Sequence, residues 1–136
     1  MKKALESPKV AKTKGPYVQG VAVSDGALIY TSGVVARDAK ARIRGVGDIR
    51  LQTRQCLKNI ENIIRAGGGS LQDLVKVTVF LRDLRDYAAM NEVRREVLGA
   101  VAFASSTVQA QLNAPQALVE IEAVAFVSNP RKGGTA

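Results

Sequence analysis

The 136-residue chain has no histidine, no tryptophan and a single cysteine. Without histidine, Ser-His-Asp and Cys-His nucleophile systems are excluded, as is any metal site that uses imidazole. Cys56 cannot close an internal disulfide. Its place on an apolar helix face marks it as a buried thiol, and the expected compartment is the cytoplasm. Aromatic residues make up 4% of the chain, thin for base-stacking platforms. No apolar run approaches about 18 residues, so no membrane span is expected. The start, MKKALESPKVAKTKGPY, lacks the apolar core of a secretory leader. Neither a metal nor a cofactor is expected. Any acid–base chemistry is left to Glu, Asp, Tyr, Lys, Arg or water.

What the chain does have is a surplus of positive charge. Twenty Lys and Arg stand against twelve Asp and Glu, a formal +8. That balance raises nucleic acid or acidic metabolites as partners. Five of the lysines, Lys2, Lys3, Lys9, Lys12 and Lys14, fall in a stretch that reads as a basic flexible leader over 1–14. With most of the rest scattered, a nucleic-acid partner is not favoured. A single domain is expected over 15–128 and a flexible tail, NPRKGGTA, over 129–136.

Inside the domain, GVAV and ALIYTSG flank Ser24-Asp25-Gly26, a hairpin signal. Asp48 stands where a helix N-cap would. Thr53, Leu57, Ile60 and Ile64 then recur at helical spacing until Gly67-Gly68-Gly69 ends the helix. Ser70-Leu71-Gln72-Asp73 has the pattern of a short capping box before the strand VKVTVFL. A second helix carries Tyr87, Met90, Val93 and Val97 along one stripe, and the last strand is ALVEIEAVAFV. The order β-β-α-β-α-β predicts an α+β fold, one sheet with both helices on one face.

On the last strand, Val119, Ile121, Ala123, Ala125 and Val127 form one apolar face, expected under the helices. Glu120 and Glu122 point the other way, about 7 Å apart, among Leu118, Val124 and Phe126. A half-apolar face without helices calls for a cover, and another copy of the chain supplies one.

These pieces together resemble the Rid family, the reactive intermediate deaminases also called YjgF proteins or L-PSP endoribonuclease-like proteins. The matching stretches are GPYVQG (15–20), YTSG (30–33), NIENIIRAGG (59–68), LVKVTVFLRDLRDYAAMNEV (74–93) and VEIEAVA (119–125). The resemblance implies a chorismate-mutase-like fold and a homotrimer whose sheets form a barrel with clefts between subunits. It also implies cofactor-independent hydrolysis of reactive enamines or imines to a carbonyl compound and ammonia. Glu120 matches the carboxylate that handles the attacking water. Tyr17, Gly33 and Asn91 match positions that line the cleft.

One departure matters. Where the founding deaminases carry R-S-C-V, this chain has Ser105-Ser106-Thr107-Val108, so a serine stands where an arginine would grip the substrate's carboxylate. Charge-assisted hydrogen bonds contribute roughly 1.5–3 kcal/mol each and neutral ones about 0.5–1.5 kcal/mol. Simple 2-imino acids are therefore expected to be poor substrates, and the hydroxyls of Ser105, Ser106 and Thr107 to suit a neutral polar group. Arg94 and Arg95 are the candidates to replace the missing guanidinium, although helix arginines ordinarily face solvent. The alternative is a homologue without this catalysis, with a ligand-binding, RNA-directed or chaperone-like role.

Overall fold

A computed structural model describes residues 1–128. The expected tail, 129–136, lies outside the described residues. The elements are β1 (Lys2–Leu5), β2 (Gly20–Val23), β3 (Gly26–Tyr30), α1 (Ile49–Ala66), β4 (Leu74–Leu81), α2 (Tyr87–Leu98), β5 (Ala104–Gln109) and β6 (Val119–Ser128).

Local sequence accounts for most of these limits. The Asp48 side chain accepts from the backbone N–H of Leu51 at 3.0 Å and starts α1. The same helix ends where Gly67 and Gly69 both donate to the carbonyl of Ile64 at 3.0 Å, with Gly68 at φ +87°. Ser70 and Asp73 form the capping box: the Ser70 N–H donates to Asp73 Oδ2 at 2.7 Å, and Ser70 Oγ accepts from Gln72 N–H at 3.2 Å. From there the chain enters β4, whose residues alternate between the core and the opposite face.

The main sheet runs β3-β6-β4-β5. Both ladders of β6 are antiparallel, while β4 and β5 pair in parallel across the α2 crossover. Against one face lie α1 and α2. Beneath them, Val77, Val79, Leu81, Val119, Ile121 and Ala125 have no exposure at all. This is the α+β arrangement expected from the sequence, with both helices on the predicted face.

Three details differ from expectation. The leader is not featureless: Lys2–Leu5 forms β1, antiparallel to β2. The Lys2 ammonium also donates to the carbonyls of Gln72 and Leu74, at 3.2 and 2.7 Å. Second, β2 and β3 do not form a ladder with each other. The turn between them puts Asp25 rather than Gly26 at positive φ (61°), and β2 spends its hydrogen bonds on β1 while β3 pairs with β6. Third, Ala104–Gln109 is a strand, an element beyond the expected β-β-α-β-α-β order. As the edge of the sheet it needs only one ladder, so its hydroxyl-rich sequence suffices.

Cys56 is fully buried and contacts the carbonyls of Val34 and Val119. Burial, and secondarily the charge of Glu120, pushes its thiol up from 9.0 to about 12. The folded value lies above the unfolded one, so the stabilising contribution is complete below pH 9.0 and is lost as pH rises through about 12. Ellman's reagent is expected to leave the native protein unlabelled and to label the thiol after denaturation, with Tm falling across that alkaline window. Rapid labelling of the native protein contradicts this placement.

Candidate active site

The residues singled out in the sequence gather into two separate clusters. The first surrounds Glu120. After β3 the chain continues beside β6, where Val34 and Ile121 exchange backbone hydrogen bonds of 2.8 and 2.9 Å. Gly33 is thereby laid against the Glu120 side chain. A Cβ at Gly33 would stand 2.7 Å from Glu120 Oε2 and 2.9 Å from its Cδ, closer than real carbon contacts allow. Only glycine lets the carboxylate lie over this backbone.

Both residues open into a groove of about 760 Å³, lined also by Arg37, Asn59, Asn62 and Asn113. Asn59 holds the groove's wall in place, donating to the carbonyls of Val35 and Arg37 at 3.2 and 2.9 Å. Glu120 is half-buried here and makes no ion pair with the described residues. A carboxylate so placed can orient a water and take its proton.

The second cluster surrounds Arg94. This side chain has no exposure, which corrects the expectation that it faces solvent; Arg95 does face solvent. Nε and Nη2 of Arg94 donate to Asn91 Oδ1 at 3.2 and 2.7 Å, and Nη1 donates to Ser105 Oγ at 2.7 Å. The guanidinium also lies over the Phe103 ring, 5.6 Å from its centroid. Burial pulls its pKa down to about 10, opposed by the nearby Tyr87 and Tyr17, and it remains charged at neutral pH. None of the ion pairs among the described residues includes Arg94.

Tyr17 belongs to this second cluster. The segment that carries it runs along the free edge of β5, where Val18 N–H donates to the Phe103 carbonyl at 2.9 Å and pairs with Ala104. The three hydroxyls divide. Ser105 and Thr107 stand opposite Val77 and Val79, on the helix side, whereas Ser106 stands opposite Thr78 and Glu122 on the other face.

The sequence did not point to Arg37, Asn62 or Asn113, which lie in loops or on a helix flank without a motif. Arg94 carried a signal that the apolar stripe hid. The predicted inner stripe of α2 was Tyr87, Met90, Val93 and Val97, but the buried residues are Met90, Asn91, Val93, Arg94 and Leu98. Met90, Arg94 and Leu98 are themselves at helical spacing, one position round from the expected stripe.

Two helices packed on this mixed sheet define the chorismate-mutase-like α+β fold. A family model described as Endoribonuclease L-PSP matches residues 7–127. The chain belongs to this family, the Rid or YjgF proteins. A RutC family protein of Pyrococcus horikoshii is 40% identical over 126 residues, 93% of this chain and 98% of the relative. Among solved structures, the Rid family protein YyfB from Yersinia pestis, of unknown function, superposes with a TM-score of 0.82 at 25% identity, covering 93% of this chain and 98% of that one. A putative endoribonuclease of Thermotoga maritima gives a TM-score of 0.70 at 34% identity, covering 95% of this chain and all (100%) of that one.

Gly33→Ala is expected to push the Glu120 carboxylate out of its position without unfolding the sheet. A crystal structure of the variant checks this, and a carboxylate left in place beside an unstrained alanine contradicts it.

Proposed function

We propose that the protein hydrolyses a reactive imine or enamine to a carbonyl compound and ammonia, without a cofactor, in a site completed by a second copy of the chain. The observation that carries this reading is the Glu120 carboxylate lying over the Gly33 backbone in an open groove. An enamine tautomerises to the imine, whose carbon is electrophilic. Glu120 takes a proton from water as the oxygen attacks that carbon. The same carboxyl then returns that proton to the nitrogen, giving a carbinolamine; the carboxylate next takes the adduct's hydroxyl proton and passes it to the nitrogen, so that C=O forms as the C–N bond breaks and ammonia leaves.

The need for a second copy follows from the sheet. Glu120 stands opposite Phe80 and Val108, and Ser105 opposite Val77 and Ala123, so the two side chains leave opposite faces. They are also two strands apart, about 10 Å across the sheet. A small molecule cannot touch both within one chain. On the face without helices, Leu28, Tyr30 and Val108 are 46%, 71% and 45% exposed, an apolar surface suited to a copy of itself. The homotrimer implied by the family resemblance would cover that face and bring one chain's Glu120 toward another's Ser105.

The substrate reading rests on Ser105. No guanidinium projects from that position, and Arg94 is enclosed behind it. A simple 2-imino acid therefore loses the bidentate grip that its carboxylate would receive from an arginine.

Two outcomes are expected. Glu120→Gln, nearly isosteric and unable to take a proton, lowers turnover on any accepted imine by roughly 100-fold or more. Unchanged turnover in a stopped assay of carbonyl release removes Glu120 from the mechanism. With 2-aminoacrylate generated in situ by a dehydratase, keto-acid release is accelerated at least about tenfold less than by a relative with arginine at the position of Ser105. Equal acceleration defeats the substrate reading.

A further inference from the structure

The groove that exposes Glu120 also takes in Arg37, the first residue of a short hairpin that runs to Arg44. That hairpin carries four exposed cations, Arg37, Lys40, Arg42 and Arg44, against one acid, Asp38. The acid is already engaged. Asp38 Oδ1 accepts from the backbone N–H groups of Lys40 and Arg42 at 2.9 and 3.1 Å, and Oδ2 accepts from Arg42 Nε at 3.1 Å. It closes the turn and pairs one guanidinium. Arg37, Lys40 and Arg44 enter none of the ion pairs among the described residues. Like charges gathered on one short hairpin repel each other, so the fold itself does not call for them.

The hairpin is fixed against the groove. Asn59 donates to the Arg37 carbonyl at 2.9 Å, and the Arg44 N–H donates to the Ala36 carbonyl at 2.8 Å. Arg37 and Ile43 stand opposite each other in an antiparallel bridge, so their side chains leave the same face. Ile43 packs on the small cluster of Val35, Ala114 and Ala117. Its partner across the bridge, Arg37, is thereby set beside Asn113 and Ala114 in the groove wall.

The groove therefore has ends of opposite sign. Glu120 is one, the unpaired cations are the other, and Gln55, Asn62 and Asn113 add neutral amides. Gly33, under the Glu120 carboxylate, is four residues from Arg37, a span of at most about 14 Å. A protonated imine at Glu120 and an anion at the hairpin satisfy both ends of one small molecule. A 2-imino acid does not, because its carboxylate would lie against Glu120. The charge count selects the anion. A carboxylate brings one negative charge, whereas a phosphate monoester brings about 1.5 to 2 at pH 7 and three strong acceptor oxygens. Three unpaired cations fit the second, and a guanidinium fork matches its geometry.

We propose that the Arg37–Arg44 hairpin is a phosphate subsite of this groove, and that the ligand is a phosphorylated small molecule with its imine or carbonyl at the Glu120 end. The identity of the Glu120 end rests on the reaction proposed above; the phosphate subsite does not.

The test uses inert ketones as stand-ins for the carbonyl product, so that binding is read without turnover. In 4-oxopentyl phosphate and 6-oxoheptanoate the anionic centre lies the same number of bonds from the ketone, and 5-methoxypentan-2-one lacks the charge. By calorimetric or NMR titration of the full chain, the phosphate ester is expected to bind about tenfold tighter than either comparator, and inorganic phosphate to compete with it. Arg37→Gln is expected to weaken the phosphate ester about tenfold at unchanged Tm, since the side chain is exposed, and Arg37→Lys to recover part of the loss. A merely structural role for Arg37 would weaken phosphate ester and methoxy ketone alike.

Equal binding of the phosphate ester and the methoxy ketone overturns the proposal, as does a ratio unchanged in Arg37→Gln. Equally tight 6-oxoheptanoate overturns the choice of phosphate. A single-stranded oligouridylate that binds more tightly than 4-oxopentyl phosphate, and loses its affinity in Arg37→Gln, overturns the small-molecule ligand. Phosphate ester bound as described, in a protein that hydrolyses no imine, leaves the subsite standing and removes the reaction. Imine hydrolysis that depends on Glu120, with phosphate ester and methoxy ketone bound alike, does the reverse.

Discussion

Successive residues of a strand point to opposite sides of the sheet, and this alternation governs where the candidate groups Glu120 and Ser105 lie. On β6 it sends Val119, Ile121 and Ala123 under the helices and Glu120 out to the groove. On β5 it sends Ser105 toward α2 and Ser106 away from it. A one-residue slip in either strand would bury a glutamate beneath α1 or expose the core. The same register that builds the core therefore separates the candidate acid–base group from the candidate anchoring group. Each chain carries two candidate half-sites that face different ways.

The buried arginine follows from the same geometry. Because Ser105 looks inward from an edge strand, α2 can reach it from behind. The residue that does so replaces a cleft-facing side chain with one embedded in the domain. Burying a guanidinium without an acid is costly unless its donors are met, and here Asn91 and Ser105 accept from three of its five N–H groups while the Phe103 ring lies against it. A charge held this way has little freedom to move toward a ligand.

Much of the fold was legible in the chain. Asp48, the three glycines at 67–69 and Ser70 with Asp73 mark their boundaries by hydrogen bonds within a few residues, and the structure forms those bonds. The apolar alternation of β4 and β6 identified the helix-covered face. β5 was not legible, because an edge strand paired on one side needs no continuous apolar face, and Ala104–Gln109 shows none. The leader strand β1 was hidden for a similar reason: its lysines mask a pairing carried by the backbone. The separation of β2 from β3 depends on partners distant in sequence, which a turn signal cannot report. For the site, Glu120 and Gly33 were named and are brought together, as are Tyr17, Asn91 and Ser105. That these are two clusters follows from the opposite facing of Glu120 and Ser105, and that Arg94 is the centre of one depends on a rotation of α2 by about one residue from the expected stripe.

The most direct measurement is a crystal structure of the assembled protein. The account predicts Glu120 of one copy facing Ser105 of a neighbouring copy across a shared cleft. An assembly that leaves the two groups apart, or a protein that is monomeric in solution, would contradict it.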